Sequence, residues 1–322
     1  MLNERRLTIR EAYVEASSFL RGYGVREPES NAQRLLEYVL EESRTGLLLR
    51  WSEPFPERLA ERWQQLLERK AAGEPVQYMI GEQEFYGLPF RVSPAVLIPR
   101  PETELLVEEL VRLGKRMWPE TCEGREQLVH GQELEDAASA GRGTVSRLGN
   151  SPTVCDIGTG SGAIAVTIAT QCPGWRVLAS DLSEAALKQA QHNAELNGVA
   201  DRIEWSEGDL LQPWIERAER IDLLVSNPPY IPDSDENGLQ PEVRLYEPHM
   251  ALFGGADGLT LYRRMVAQLH ELPQLPRVVG FEVGQGQAEA VRELLLDAAE
   301  WDEVYIVDDL AGIGRHVIAY RS

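Results

Sequence analysis

Apolar residues recur every three or four positions through the first seventy residues, whereas further on they gather into short unbroken runs, and this change of period divides the chain. Over residues 1–73, Leu7, Tyr13, Val14, Phe19 and Leu20 make one helical stripe. Ala32, Leu35, Leu36, Val39 and Leu40 make a second, and Leu59, Trp63, Leu66 and Leu67 a third. Gly22 and Gly24, Pro28 with Ser30, and Pro54 with Pro56 separate the stripes, which predicts a small helical bundle. Residues 74–101, EPVQYMIGEQEFYGLPFRVSPAVLIPRP, are rich in aromatic and β-branched side chains and punctuated by glycine and proline, so a linking β-hairpin is expected. A helix is expected over 102–118, with Leu105, Leu106, Leu110 and Leu113 on one side. Residues 119–151 lack any period and are rich in Gly, Ser and Glu, which predicts a flexible surface insertion.

Residues 152–322 alternate short apolar strands with helical stretches: TVCDI, RVLASD, RIEWSEGD, IDLLVSN, RVVGFEVG, EVYIVDD and RHVIAYR, with helices from about Ala163, Ser183, Leu259 and Gln285. Such alternation predicts an α/β, doubly wound, seven-stranded and mostly parallel sheet with right-handed crossovers. The last two strands, separated by Leu310–Gly314, read as an antiparallel hairpin at its edge.

Between the first of these strands and its helix lies Cys155-Asp-Ile-Gly-Thr-Gly-Ser-Gly162. Gly158, Gly160 and Gly162 let the backbone turn sharply and leave room for a ligand, with Thr159 and Ser161 between them, and the helix start offers unpaired N–H groups. Taken alone the loop also fits a dinucleotide fingerprint, so a nicotinamide cofactor competes with other nucleotide-like ligands. Asp181 ends the second strand, where a carboxylate can accept hydrogen bonds from ribose hydroxyls; the capping of the next helix falls to Ser183. Asp209, after the third strand, is a candidate for an exocyclic adenine amine. Acids at Asp156 and Asp181 suit a sulfonium carrying an ammonium better than a pyrophosphate, which favours S-adenosylmethionine.

Charge narrows the partners. With 32 Lys+Arg against 52 Asp+Glu the net charge is −20, which repels a polyphosphate backbone, so no direct nucleic-acid partner is expected. Cys122, Cys155 and Cys172 have no CxxC spacing and the five histidines are scattered, so neither a disulfide framework nor a metal is expected. No signal peptide and no membrane-spanning run is read, and a cytoplasmic location is expected.

The strand IDLLV is left through SNPPYIP. Asn227 stands at a strand exit beside the ligand cleft, and Pro228 and Pro229 lock φ and remove N–H donors, leaving carbonyl acceptors. The Asn227 side-chain oxygen and a proline-region carbonyl can each accept one N–H of a planar NH₂ group, with the Tyr230 ring offering a flat face. Orientation and electrostatics then stand in for a strong base. A plain Asn-Pro turn is the structural alternative. Among lesser candidates, Arg100 and Glu102 either close over the cofactor or form a salt-bridged loop, and Glu282 either lines the site or caps a helix.

Taken with Glu74-Pro-Val-Gln-Tyr78, Leu97-Ile-Pro-Arg-Pro-Glu-Thr-Glu104, Glu247-Pro-His-Met-Ala-Leu252 and Gly254-Gly-Ala-Asp-Gly258, these motifs make the sequence resemble the HemK/PrmC family across nearly the whole chain. Members methylate the glutamine side-chain nitrogen in the Gly-Gly-Gln loop of peptide chain release factors. The resemblance implies a Rossmann-like class I S-adenosylmethionine-dependent methyltransferase fold. It further implies that Gly158 to Gly162 and Asp181 hold S-adenosylmethionine, that Asp209 and Leu210 border the adenine, and that Asn227 to Tyr230 grip the glutamine amide. Some relatives carry tryptophan in the place of Leu210. The amino-terminal helices are implied to recognise the release factor. Rival readings are an adenine-amine (N6) DNA or RNA methyltransferase, a nicotinamide-dependent oxidoreductase, which leaves NPPY unexplained, and a non-catalytic scaffold.

Overall fold

The computed structural model describes residues 7–119 and 151–322. The amino-terminal stripes become helices α1 (Ile9–Gly22), α2 (Pro28–Leu40), α3 (Arg44–Leu49) and α4 (Ala60–Ala71). Thr8 starts α1 with a capping box, its hydroxyl accepting from the Glu11 N–H while the Glu11 carboxylate takes the Thr8 N–H. Leu20, Leu35, Leu36, Leu66 and Trp63 close one apolar core among these helices.

The stretch read as a linking hairpin begins instead with a short helix, α5 (Val76–Ile80), and only then forms strands β1 (Glu82–Phe85) and β2 (Leu88–Arg91), paired antiparallel. Helix wins at 76–80 because Val76 and Met79, three apart, both reach the bundle core, and Gly81 ends the turn in the left-handed region. Helix α6 (Pro101–Met117) follows, with Pro101 in its first turn. The proposed insertion falls almost wholly outside the described residues.

The seven remaining strands are β3 (Thr153–Ile157), β4 (Arg176–Asp181), β5 (Ile203–Glu207), β6 (Leu223–Ser226), β7 (Val278–Glu282), β8 (Glu303–Asp308) and β9 (Gly314–Tyr320). They form one sheet in the order β5-β4-β3-β6-β7-β9-β8, parallel from β5 to β7. The final hairpin lies at the edge, as the sequence suggested, but β9 sits inside it, antiparallel to both β7 and β8. Helices α7 (Ala163–Gln171) and α8 (Glu184–Leu196) join α6 on one face, where Leu106, Leu110, Ile164 and Ile168 pack. On the other face, α9 (Gln212–Glu216), α11 (Thr260–Gln268) and α12 (Ala288–Ala298) contribute Trp214, Tyr262, Met265 and Val291, while α10 (Pro241–Tyr246) lies in the connection after β6.

Strand order reverses at β3, whose neighbours are β4 on one side and β6 on the other, and a crevice opens at their carboxyl ends. Ile157 and Ser226 are register partners, and the Ser226 hydroxyl donates to the Ile157 carbonyl at 2.6 Å. The glycine loop and Asn227 therefore leave the sheet side by side.

Candidate functional site

The glycine loop is lashed to β4. Gly158 and Thr159 N–H both donate to the Ser180 carbonyl, at 2.9 and 3.0 Å, and the Gly160 N–H donates to Asp181 Oδ2 at 2.8 Å. Gly162 has φ 82, and a Cβ there would lie 3.0 Å from the Ala190 Cβ, so only glycine lets the start of α7 sit this close to α8. Asp156 is turned inward. It accepts from the Thr159 hydroxyl at 2.6 Å and the Ala165 N–H at 3.2 Å, while its Oδ1 has no partner. Burial pushes its carboxyl up to about 7, which makes it a brace of the loop rather than a charge facing the cleft.

Asp181 is raised mainly by burial, against the pull of backbone N–H groups. Its Oδ1 accepts the Ser183 N–H at 2.9 Å, and Ser183 itself caps α8 through the Ala186 N–H. Two oxygens offer about four lone-pair positions, so acceptor capacity remains on the cleft side. Asp209 is held by Arg264 at 2.5 Å, a pair about half exposed on both sides. Next to it Leu210 adopts φ 53, with its carbonyl accepting from the Ser180 hydroxyl at 3.3 Å and its side chain against the core under α11.

A cavity of about 330 Å³ gathers Gly158 to Ser161, Asp181, Asp209, Leu210, Asn227 and Pro229 along one wall. The 95–103 stretch also lines it, and there Arg100 pairs with Glu247 at 2.5 Å and Glu247 also accepts the Ile98 N–H at 3.3 Å. Gly162, Pro228 and Tyr230 do not line this cavity. The Tyr230 ring packs instead on the core between α11 and α12, and burial raises its hydroxyl to about 12. Its carbonyl lies so near Gly258 that a Cβ there would sit 2.1 Å away, which explains a glycine at that point.

The Asn227 carboxamide donates from Nδ2 to the Thr103 hydroxyl at 3.1 Å, and Thr103 Oγ1 donates to Glu282 Oε2 at 2.6 Å. Glu282 is buried at the end of β7 and pushed up to about 7 by desolvation, partly countered by Thr103, by the Arg315 charge and by the Asn227 side chain, which also reaches it. His316, opposite it on β9, has Nε2 3.9 Å from the same oxygen, and burial lowers it to about 4, keeping it neutral.

Residues 11–81 match the family model described as the PrmC N-terminal domain, and residues 139–240 match the methyltransferase small domain. A release factor glutamine methyltransferase of Bacillus cereus is 37% identical over 314 residues, 97% of this chain and 99% of that protein. One from Moorella thermoacetica is 38% identical over 315 residues, 98% of this chain and 99% of that protein. The chain belongs to the release factor glutamine methyltransferase family.

Membership bears out the HemK/PrmC resemblance and does not favour the adenine-amine and nicotinamide readings. Among solved structures, the catalytic domain of hMettl16 in complex with MAT2A 3'UTR hairpin 6 superposes with a TM-score of 0.52 at 17% identity, covering 79% of this chain and 81% of that one. At that identity the likeness speaks for the fold. Among the described residues no group of His, Cys, Asp and Glu is arranged to hold a metal, and no helix is long and apolar enough to cross a membrane.

For this family member, sequence reasoning missed Thr103 and the pairing of Arg100 with Glu247. Both lie in stretches that carried the resemblance, but their partners are 124 and 147 residues away in the chain. Glu282 was seen as a strand-end acid; its contacts with Thr103 and His316 were not.

Proposed function

We propose that this enzyme transfers the methyl group of S-adenosylmethionine to the side-chain amide nitrogen of the glutamine in the Gly-Gly-Gln loop of peptide chain release factors. One observation carries the reading at the level of chemistry: Asn227, which lines a cavity shared with the glycine loop, has its Nδ2 engaged by Thr103, and this leaves Oδ1 as the end of the carboxamide available to accept. That oxygen is an acceptor with nothing of its own to donate. An incoming primary amide supplies two N–H groups, one for Oδ1 and one for a carbonyl of the following proline segment.

Gly158 to Ser161 and Asp181 are the residues to hold the nucleoside, with Asp181 accepting from ribose hydroxyls and Leu210 lying against the adenine. When bound, S-adenosylmethionine supplies an electrophilic methyl carbon. Binding both amide hydrogens fixes the plane of the acceptor and shifts electron density to its nitrogen, whose lone pair is otherwise delocalised. The nitrogen pair forms the new C–N bond, the C–S pair stays on sulfur, and the N-protonated amide, now strongly acidic, releases its proton to solvent. Alignment and electrostatic acceptance therefore suffice without a strong general base.

The amino-terminal helices are assigned to release-factor recognition, and their family match supports this. The net charge of −20 supports a protein rather than a phosphate-backbone partner. Asn227→Ala tests the site: transfer should fall by about 10²-fold or more, the scale of losing one preorganised polar contact at a reacting group, while S-adenosylmethionine affinity by calorimetry stays within twofold. Normal turnover in that variant would overturn the assignment of Asn227.

A further inference from the structure

We propose that Thr103 and Glu282 are positioning residues that lock the Asn227 carboxamide with its oxygen facing the acceptor. The inference rests on the reading that Asn227 Oδ1 receives an N–H of the substrate amide. A carboxamide is nearly symmetrical in shape, so packing alone does not choose between its two flips; hydrogen bonds must. An unlocked Asn227 would spend part of its time presenting NH₂ to an incoming NH₂, which neither binds nor aligns it.

The direction of the relay follows from proton counting. A threonine hydroxyl has one proton to give. With Glu282 ionised, that proton, 2.6 Å from Oε2, is committed to the carboxylate, so at 3.1 Å from Asn227 the hydroxyl serves only as acceptor. Only Nδ2 satisfies it, and Oδ1 is left on the other side. The relay is rigid because its members come from three elements: Thr103 from the first turn of α6, Asn227 from the exit of β6, and Glu282 from the last residue of β7. Thr103 and Glu282 are 4% and 2% exposed, so water has little access to the bond between them. The Glu282 backbone carbonyl is pinned in turn by the buried Tyr262 hydroxyl at 2.6 Å. An acidic side chain kept in so dry a place is accounted for by this task. The arrangement also gives a reason for threonine, not a larger or apolar residue, inside the PETE stretch.

The test measures methyl transfer to purified release factor alongside calorimetric S-adenosylmethionine binding. Thr103→Val removes the hydroxyl at nearly constant shape and should lower kcat about 10- to 100-fold, within the range seen when a supporting partner is lost. KM for the release factor should stay within about threefold, and cofactor affinity, which doubles as the control for folding, within twofold. Thr103→Ser restores the hydroxyl and should recover kcat to within about fivefold. Glu282→Gln keeps an acceptor oxygen and should be mild, whereas Glu282→Leu should match Thr103→Val, and the double variant should be no worse than either single one, as expected for parts of one unit. Wild-type kcat in Thr103→Val, equal damage in Thr103→Ser, or multiplicative losses in the double variant would each overturn the relay. Should Thr103→Val fail to fold, the Ser and Glu282 variants decide by the same criteria. If Asn227→Ala is inactive while Thr103→Val is normal, the relay alone fails; if Asn227→Ala is active, the underlying site reading fails.

Discussion

Asp181 has two tasks in this account, bracing the glycine loop and meeting the ribose, and Asp181→Asn separates them. In the wild type its two oxygens accept the Gly160 and Ser183 N–H groups at 2.8 and 2.9 Å. The carboxamide has one oxygen, so one of those N–H groups faces an NH₂ instead. Losing a charge-assisted bond costs about 1.5–3 kcal/mol, but the same substitution removes the burden of a buried charge, so a net loss of about 1–2 kcal/mol is expected in the unliganded protein. For a chain of this size that is a fall in Tm of a few degrees, on the order of 2–4 °C per kcal/mol. Cofactor binding loses a further charged contact to a ribose hydroxyl, about 1.5–3 kcal/mol, which raises the Kd for S-adenosylmethionine roughly 10- to 150-fold. Scanning calorimetry without ligand and isothermal titration with S-adenosylmethionine and its demethylated product read the two effects separately. A lowered Tm with Kd unchanged within twofold would show that Asp181 only braces the loop, and the ribose assignment would be refuted.

Two further outcomes concern buried charge. Glu282 has its folded pKa raised from 4.5 to about 7, so folding takes up a proton in that window; the stability this carries is whole below pH 4.5, is lost as pH rises, and levels off above about 7. Wild type should therefore lose up to about 3 kcal/mol relative to Glu282→Gln between those limits, read by chemical denaturation at a series of pH values, and a flat difference would contradict the buried acid. The comparison is needed because the neighbouring His316, lowered to about 4, pushes the wild-type curve the other way between pH 4 and 6.5. Lys70, 2% exposed, bonds Glu242 of α10 at 2.6 Å and the Glu74 carbonyl at 3.0 Å. Removing the acid strands the cation, so Glu242→Gln should cost about 1–3 kcal/mol and more than Lys70→Met, which removes the charge itself; the reverse ranking in denaturant titrations would contradict the pairing.

What the sequence disclosed was what short-range pattern can carry. The strand runs, the helix starts at Ala163 and at Ser183, and the glycine loop followed by a strand-end Asp181 depend on period and local turn chemistry, and the structure has them where expected. Helix α5 escaped because five residues give too little period, and its form depends on Val76 and Met79 reaching a core built by other segments. The insertion of β9 between β7 and β8 escaped because a hairpin looks alike whichever strand faces the sheet. Polar pairings were least legible. Asp209 reads as a free acid until Arg264 meets it, and nothing periodic links Arg100 to Glu247 or Thr103 to Glu282. Such contacts are created by the topology, which for Thr103 brings the first turn of α6 to the carboxyl ends of β6 and β7.

The claim at the centre, that the cleft beside Asn227 methylates a glutamine amide of a release factor, is met most directly by locating the transferred group. Purified enzyme, isotopically labelled S-adenosylmethionine and unmethylated bacterial release factor would be incubated together and the factor mapped by tandem mass spectrometry. The account predicts one labelled methyl on the side-chain nitrogen of the Gly-Gly-Gln glutamine, absent when that glutamine is replaced and absent with Asn227→Ala. Label on another residue, or undiminished label after either substitution, would contradict it.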